Sequence, residues 1–214
     1  EQVLVEELQK VRPGYAFLTE ESGVIAGADK THRWIIDPLD GTTNFLHGFP
    51  MFAISIALER DGELVAGVIY NPVMDELFTA ERGSGAFLND RRIRVAARTK
   101  LSDAIVSCGV PHHGRGDHSK FLKQLSTVMP RVSGVRRTGS AALDLAYIAA
   151  GRCDVFWEAG LSAWDIAAGI LIVREAGGTV TDETGGVNML ETGALVAGNE
   201  GLQRDLLKLL KSVN

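Results

Sequence analysis

The chain has 214 residues, 45% hydrophobic and 23% charged, enough apolar side chain to bury a core as one or two compact units. Its net charge of −5 is spread without a basic stripe, which argues against direct nucleic-acid binding and against an anionic membrane surface, so a phosphorylated ligand would need positive charge supplied locally. There is no signal-peptide pattern and no apolar run long enough to span a bilayer, so the cytoplasm is the expected compartment.

In chain order, Val3, Leu4, Leu8 and Val11 recur at helical spacing until Pro13-Gly14 stops them. The first residue is Glu1 rather than Met, and native residues are expected upstream of this helix. Ala16-Phe17-Leu18 and Arg33-Trp34-Ile35-Ile36 read as short strands that end at carboxylates, Glu20 and Asp37. Strands at Phe52 to Glu59, Glu63 to Tyr70 and Glu76 to Ala80 form a meander broken by Asp61-Gly62, a strong hairpin signal, and by Asn71-Pro72. Turns around Gly83-Ser84-Gly85 and Asn89-Asp90 enclose one more short strand, and a boundary near residue 100 divides the chain. Residues 1–100 are then an N-terminal α+β part with most of the candidate metal ligands, and residues 101–214 a C-terminal α/β part.

That second part opens with an apolar run, Ala104 to Cys108, and then alternates helix and strand. Helices are expected at Asp117 to Val128, Ala141 to Ala150, Trp164 to Ala176 and Leu202 to Ser212, and strands at Cys153 to Glu158, Gly178 to Asp182 and Ala194 to Ala197. Ser140 and Asn199 suit N-caps, and Gly177-Gly178 suits a left-handed helix end. Cys108 and Cys153 sit beside apolar residues and read as buried reduced thiols rather than a disulfide. The pattern is that of layered α and β elements.

Chemistry concentrates at Asp37-Pro38-Leu39-Asp40-Gly41-Thr42-Thr43. Proline fixes one torsion and glycine removes a side chain, so the chain turns tightly after a strand and two carboxylates face one small volume. Such a pair repels unless a cation neutralises it, and hard oxygen ligands select magnesium or a similar divalent ion. Gly41-Thr42-Thr43 would open a helical turn whose amides can hold a phosphate. The same residues also suit an ordinary surface turn. Glu20-Glu21 after an apolar run, and Asp165 at the start of an apolar helix, favour a shared site instead. Adjacent residues on an extended segment point opposite ways, so one of Glu20 and Glu21 faces the metals, and Glu20 is preferred.

Glu20-Glu21-Ser22, Trp34-Ile35-Ile36-Asp37-Pro38-Leu39-Asp40-Gly41-Thr42-Thr43-Asn44-Phe45 and Trp164-Asp165-Ile166-Ala167-Ala168-Gly169, with Glu175-Ala176-Gly177-Gly178 and Asp182 after them, resemble the inositol monophosphatase family over essentially the whole chain. The resemblance implies an α/β (α+β) layered sandwich of alternating helix and sheet layers, inositol monophosphatase/fructose-1,6-bisphosphatase-like. It also implies a lithium-sensitive, Mg2+-dependent phosphatase with two or three metals per site, acting on inositol-1-phosphate or a similar small phosphate ester, and a homodimer.

By resemblance, Glu20, Asp37 and the Leu39 carbonyl surround one metal, and Asp37, Asp40 and Asp165 a second, with Glu20 and Thr42 holding the attacking water and Asp40 completing the catalytic set. Gly41, Thr42, Thr43, Gly139, Ser140, Ala141, Glu158 and Asp165 would meet the substrate. Gly139-Ser140-Ala141 also reads as a plain helix cap, and Glu158 as a solvated strand end. Thr43-Asn44-Phe45 favours the inositol branch over relatives acting on fructose bisphosphate or nucleotide bisphosphates, whereas Thr19 stands where relatives often have Gly and Ser162 where animal inositol enzymes carry His. Other polyol, histidinol or nucleotide phosphates remain alternative substrates. Contact with RNA polymerase, as in some bacterial relatives, is the alternative of another class.

Weaker features are read blandly. His112, His113, Asp117 and His118 lie in a Gly-rich loop without a metal-site frame. Trp34, Trp157 and Trp164 are assigned to packing, and Arg136-Arg137 suits a solvated face, an interface or a phosphate contact.

Overall fold

The computed structural model describes residues 1–112, 114 and 116–213, so His113 of the weighed histidine group lies outside the described residues. The first part contains α1 (Gln2–Val11), β1 (Ala16–Thr19), β2 (Gly23–Ile25), β3 (His32–Asp40), α2 (Thr42–Leu46), β4 (Ala53–Arg60), β5 (Glu63–Asn71), β6 (Glu76–Glu81), β7 (Gly85–Leu88) and β8 (Arg91–Ile93). The second contains β9 (Ile105–Cys108), α3 (His118–Val128), β10 (Gly134–Arg136), α4 (Ala141–Ala149), β11 (Val155–Ala159), α5 (Ala163–Glu175), β12 (Thr179–Thr181), α6 (Met189–Thr192), β13 (Ala194–Gly198) and α7 (Glu200–Lys211).

Two sheets result. The larger runs β2-β1-β3-β4-β5-β6-β7-β8 and the smaller β10-β9-β11-β13-β12. The larger is antiparallel except where β1 lies parallel to β3. Its β4–β5 hairpin turns at Asp61 and Gly62, both with positive φ (51° and 80°), the combination a two-residue turn of the twist-compatible kind requires.

α4 and α5 form the layer between the sheets. One buried apolar cluster joins Ile35 and Phe78 of the larger sheet, Leu145 and Ile170 of the two helices, and Phe156 and Ala197 of the smaller sheet. A second cluster packs α3 and α7 on the far side of the smaller sheet, through Phe121, Leu206, Val155 and Val196. Sheet, helix pair, sheet and helix pair therefore alternate, as the resemblance implies. The middle layer is close because the facing residues are small: Ala53, Ser55 and Ala57 of β4 are buried, and a Cβ on Gly67 would lie 3.0 Å from the Ala168 carbonyl oxygen.

The expected elements are present, with ends moved by a residue or two, except that β3 was expected to stop at Ile36 and instead runs on through Pro38 to Asp40 with a shift in its pairing to β4. β2, β8, β10 and α6 were not anticipated. The strands have three residues each and α6 has four, too short to carry a period of two or of 3.6. Ser140 and Asn199 cap α4 and α7, accepting from the amides of Leu143 (3.2 Å) and Leu202 (3.0 Å). Cys108 and Cys153 are buried and unbridged. Among the described residues no helix is long and apolar enough to cross a membrane.

Candidate active site

Residues three apart on a regular strand point to opposite faces. Asp37 and Asp40 do not, because the β3–β4 register shifts between them. Pro38 has no N–H to give to the ladder, and the resulting irregularity turns both carboxylates into one volume. The Leu39 amide donates to Asp37 Oδ1 (2.8 Å), closing a small turn that holds the first carboxylate in place. Asp40 is held from the other half of the chain: the Ser140 hydroxyl and the Ala142 amide (2.8 Å) both donate to its Oδ2. The N-terminus of α4 thus fixes one oxygen of Asp40.

The parallel pairing of β1 with β3 sets Thr19 opposite Ile36, so Glu20 leaves its strand beside Asp37, and its amide donates to the Ile36 carbonyl (3.3 Å). Asp165 arrives from the first turn of α5, where its Oδ2 accepts from the Ser162 amide (2.8 Å) in a capping box. Oxygens of Asp37, Asp40 and Asp165 lie within 4.8 Å of one another, although the residues are up to 128 positions apart in sequence. It is the one such group of potential metal ligands among the described residues. Glu20 lines the same cavity from a more exposed position. Glu21 does not line it, and its amide donates to Glu1 instead (3.0 Å).

The cavity, of about 270 Å³, is also lined by Leu39, Gly41, Thr42 and Thr43 and by Gly109, His112, Arg137, Gly139, Ala141, Asp144, Glu158 and Leu161. Burial, then the charges of Asp40 and Glu20, pushes the Asp37 carboxyl far above the usual carboxylate range. Burial likewise lifts Asp40 to about 7 against the pull of its Ser140 bond. Glu20 is raised as well, first by burial and then by the charges of Asp165 and Glu21, against its hydrogen bond with Asp37. Crowded carboxylates that resist losing their protons are an electrostatic debt that a divalent cation cancels. The donor set, all hard oxygen and mostly buried, fits such an ion.

Gly41 has φ 90°, and a Cβ there would meet the Met51 carbonyl at 2.9 Å, so only glycine can start α2 at this place. Thr42 Oγ1 donates to the Leu39 carbonyl (3.0 Å), which leaves the hydroxyl lone pairs free to accept from a water. Asn44 donates to the carbonyls of Met51 (2.6 Å) and Thr138 (2.9 Å), binding α2 to the loop before α4. Gly139 and Ala141 reach the cavity surface, whereas Ser140 lies buried beneath it with its hydroxyl given to Asp40. Its observed work is to cap α4 and hold a carboxylate, not to face a ligand. Glu158, at the end of β11, lies across Gly109: a Cβ on that glycine would come within 1.8 Å of its Cδ.

Sequence reasoning missed Asp144 and Leu161, gave His112 no role in this cavity and left Arg137 undecided. Asp144 did carry a signal. It is the single charged residue of Ala141–Ala149, a helix buried throughout, and packing offers no reason for a carboxylate there. Its Oδ2 accepts from the Thr138 hydroxyl (2.7 Å), and burial raises it to about 7.

The model of the Inositol monophosphatase family matches residues 1–214. An inositol-1-monophosphatase of Mesorhizobium japonicum is 67% identical over 99% of this chain and 79% of its own length. The protein named Nus factor SuhB of Pseudomonas aeruginosa is 47% identical over 99% of this chain and 79% of its own. The crystal structure of extragenic suppressor protein suhB from Bartonella henselae superposes with a TM-score of 0.96 at 58% identity, covering 98% of this chain and 81% of that one.

Proposed function

The chain belongs to the inositol monophosphatase family and is a phosphatase hydrolysing a phosphate monoester, and from this premise we propose that its substrate is inositol-1-phosphate. The observation that carries the chemistry is the convergence of Asp37, Asp40 and Asp165 within 4.8 Å beside the amides that open α2. We assign Glu20, Asp37, Asp40, Asp165 and the Leu39 carbonyl to two or three Mg2+ ions. Bound there, the ions supply the positive charge that this acidic cavity lacks, acidifying water, gripping phosphate oxygens and stabilising charge on the departing alkoxide.

The rest is the work of the chain. Thr42 Oγ1, which donates its hydrogen bond to the Leu39 carbonyl, accepts one from the attacking water, and Glu20, lining the same cavity, receives the proton. The first amides of α2, at Thr42 and Thr43, have no acceptor within the helix and point donors at the phosphate. Gly139 and Ala141, which line the same cavity, meet the leaving alcohol, and Glu158 accepts from its hydroxyls. Ser140 and the Ala142 amide keep Asp40 aimed into the cavity.

The exposed apolar patch of Phe45 (50%), Leu46 (76%) and Phe49 (55%) supports a homodimer, and two buried free thiols suit the cytoplasm. Lithium is expected to inhibit by competing at a magnesium position. The name of the Pseudomonas aeruginosa relative supports a second reading, contact with RNA polymerase. Capture of polymerase from lysate that survives Asp40→Asn and is lost on substituting Arg136 and Arg137 would favour it.

The test is phosphate release from inositol-1-phosphate, glycerol-2-phosphate, fructose-1,6-bisphosphate, histidinol phosphate, NADP and 3′-phosphoadenosine 5′-phosphate, with magnesium and with chelator. The expected result is magnesium-dependent release fastest with inositol-1-phosphate. A different winner replaces the substrate, and no release from any ester overturns the phosphatase reading.

A further inference from the structure

Cys108, the last residue of β9, pairs with Trp157 of β11 in parallel register, and the Gly109 amide continues the ladder by donating to the Trp157 carbonyl (3.2 Å). The same register sets Gly109 level with Glu158, and side chains level with each other on neighbouring strands project to one face. Glu158 leans into the space that a side chain at position 109 would take. A Cβ on Gly109 would lie 1.8 Å from Cδ, 2.1 Å from Oε1 and 2.2 Å from Cγ of Glu158, its three nearest neighbours. The backbone does not ask for glycine here, since Gly109 is not among the residues with positive φ. The first obstacle to a side chain at 109 is therefore the Glu158 side chain, which is flexible and can move.

Both residues line the cavity that holds the metal-binding candidates. Both also line a neighbouring cavity of about 270 Å³, which Phe121, Trp157 and Val196 help to enclose. The Glu158 carboxylate thus rests where two cavities meet, and one pushed off Gly109 has open space to enter. We propose that Gly109 is a positioning residue that sets substrate specificity: its missing side chain seats Glu158 so that the carboxylate accepts from the hydroxyls of the leaving alcohol. Preference for a polyol ester such as inositol-1-phosphate over an ester without hydroxyls then depends on a residue that has no functional group of its own. The inference rests on the role proposed above for Glu158 and deepens it.

The test is the ratio of kcat/KM for inositol-1-phosphate over 4-nitrophenyl phosphate, whose alcohol carries no further hydroxyl, in the wild-type chain, Gly109→Ala, Glu158→Ala and the double variant. In Glu158→Ala the ratio is expected to fall about tenfold, the effect of losing one hydrogen bond to a charged acceptor. Gly109→Ala should lower it by about the same factor, with the loss carried by KM for inositol-1-phosphate rather than by kcat. The double variant should fall no further than Glu158→Ala, because both substitutions remove one and the same contact.

An unchanged ratio in Gly109→Ala where Glu158→Ala lowers it, or a double variant whose loss is the product of the two single losses, overturns the inference and leaves the role of Glu158 intact. An unchanged ratio in Glu158→Ala overturns both. Thermal denaturation decides the matter if Gly109→Ala does not fold: folding restored in the double variant supports the seat, because only the Glu158 side chain has been taken away, and a double variant that stays unfolded overturns it. Absence of phosphate release from both esters by the wild-type chain overturns the phosphatase reading beneath.

Discussion

Asp144 shows what burial does to a carboxyl. It is 1% exposed, and its folded pKa of about 7 lies above the ordinary carboxylate value that the unfolded chain would show. The folded state therefore holds an extra proton between pH 3.8 and about 7, and stability falls as pH rises through that window. Asp144→Asn keeps the Thr138 contact and removes the titration, so chemical denaturation between pH 4 and 8 should show a flatter decline for the variant than for the wild-type chain. An identical decline would mean that Asp144 does not titrate there. Asp40 is a different case, since we assign its charge to metal binding. Asp40→Asn should lower magnesium-dependent turnover by more than about 100-fold, beyond what a supporting residue around a metal site costs, with the circular dichroism of the fold retained. Full activity would contradict the assignment of Asp40. Both aspartates were visible in the sequence, but only Asp40 sat in a pattern with a chemical reading.

At the scale of elements, the site depends on how near α5 sits to its neighbours. Gly169 faces Leu145 of α4, and a Cβ there would lie 2.6 Å from the Leu145 Cβ. Gly169→Ala must push the two helices apart, at a cost of about 1–3 kcal/mol for overpacking a close-packed core. Because Asp165 rides on α5 and Ser140 and Ala142 hold Asp40 from α4, the variant should also weaken magnesium activation. Thermal denaturation and a magnesium titration of activity check both effects, and unchanged values in both would show that the middle layer has slack. The irregularity in β3 belongs to this scale too. Pro38 was legible as a turn former, yet that it shifts the β3–β4 register, and so brings Asp37 and Asp40 to one side, depends on a partner strand the local sequence does not name.

For the whole molecule, the acidic cavity opposes folding while it is empty of cations, because burial and mutual repulsion raise Asp37, Asp40 and Glu20 together, and the proposed magnesium would relieve that cost. A ligand that binds only the folded state stabilises it by about 2.7 kcal/mol at a hundredfold excess over its Kd, so magnesium should raise the melting temperature by several degrees and chelator should reverse the shift. The increment should be larger at pH 8 than at pH 5, where protons already neutralise part of the cluster. A melting temperature indifferent to magnesium at both values would argue against a metal at this site. The sequence by itself determined the main elements, the family and the candidate carboxylates to which we assign the metals, because hydrophobic period, turn residues and a short motif are local properties. Only the tertiary structure decided that Ser140 serves Asp40 rather than the ligand, that Asp144 and Arg137 reach the cavity, and that the three aspartates converge. Those facts depend on contacts between residues about a hundred positions apart, and such contacts are made by strand register and helix packing, which no local pattern encodes.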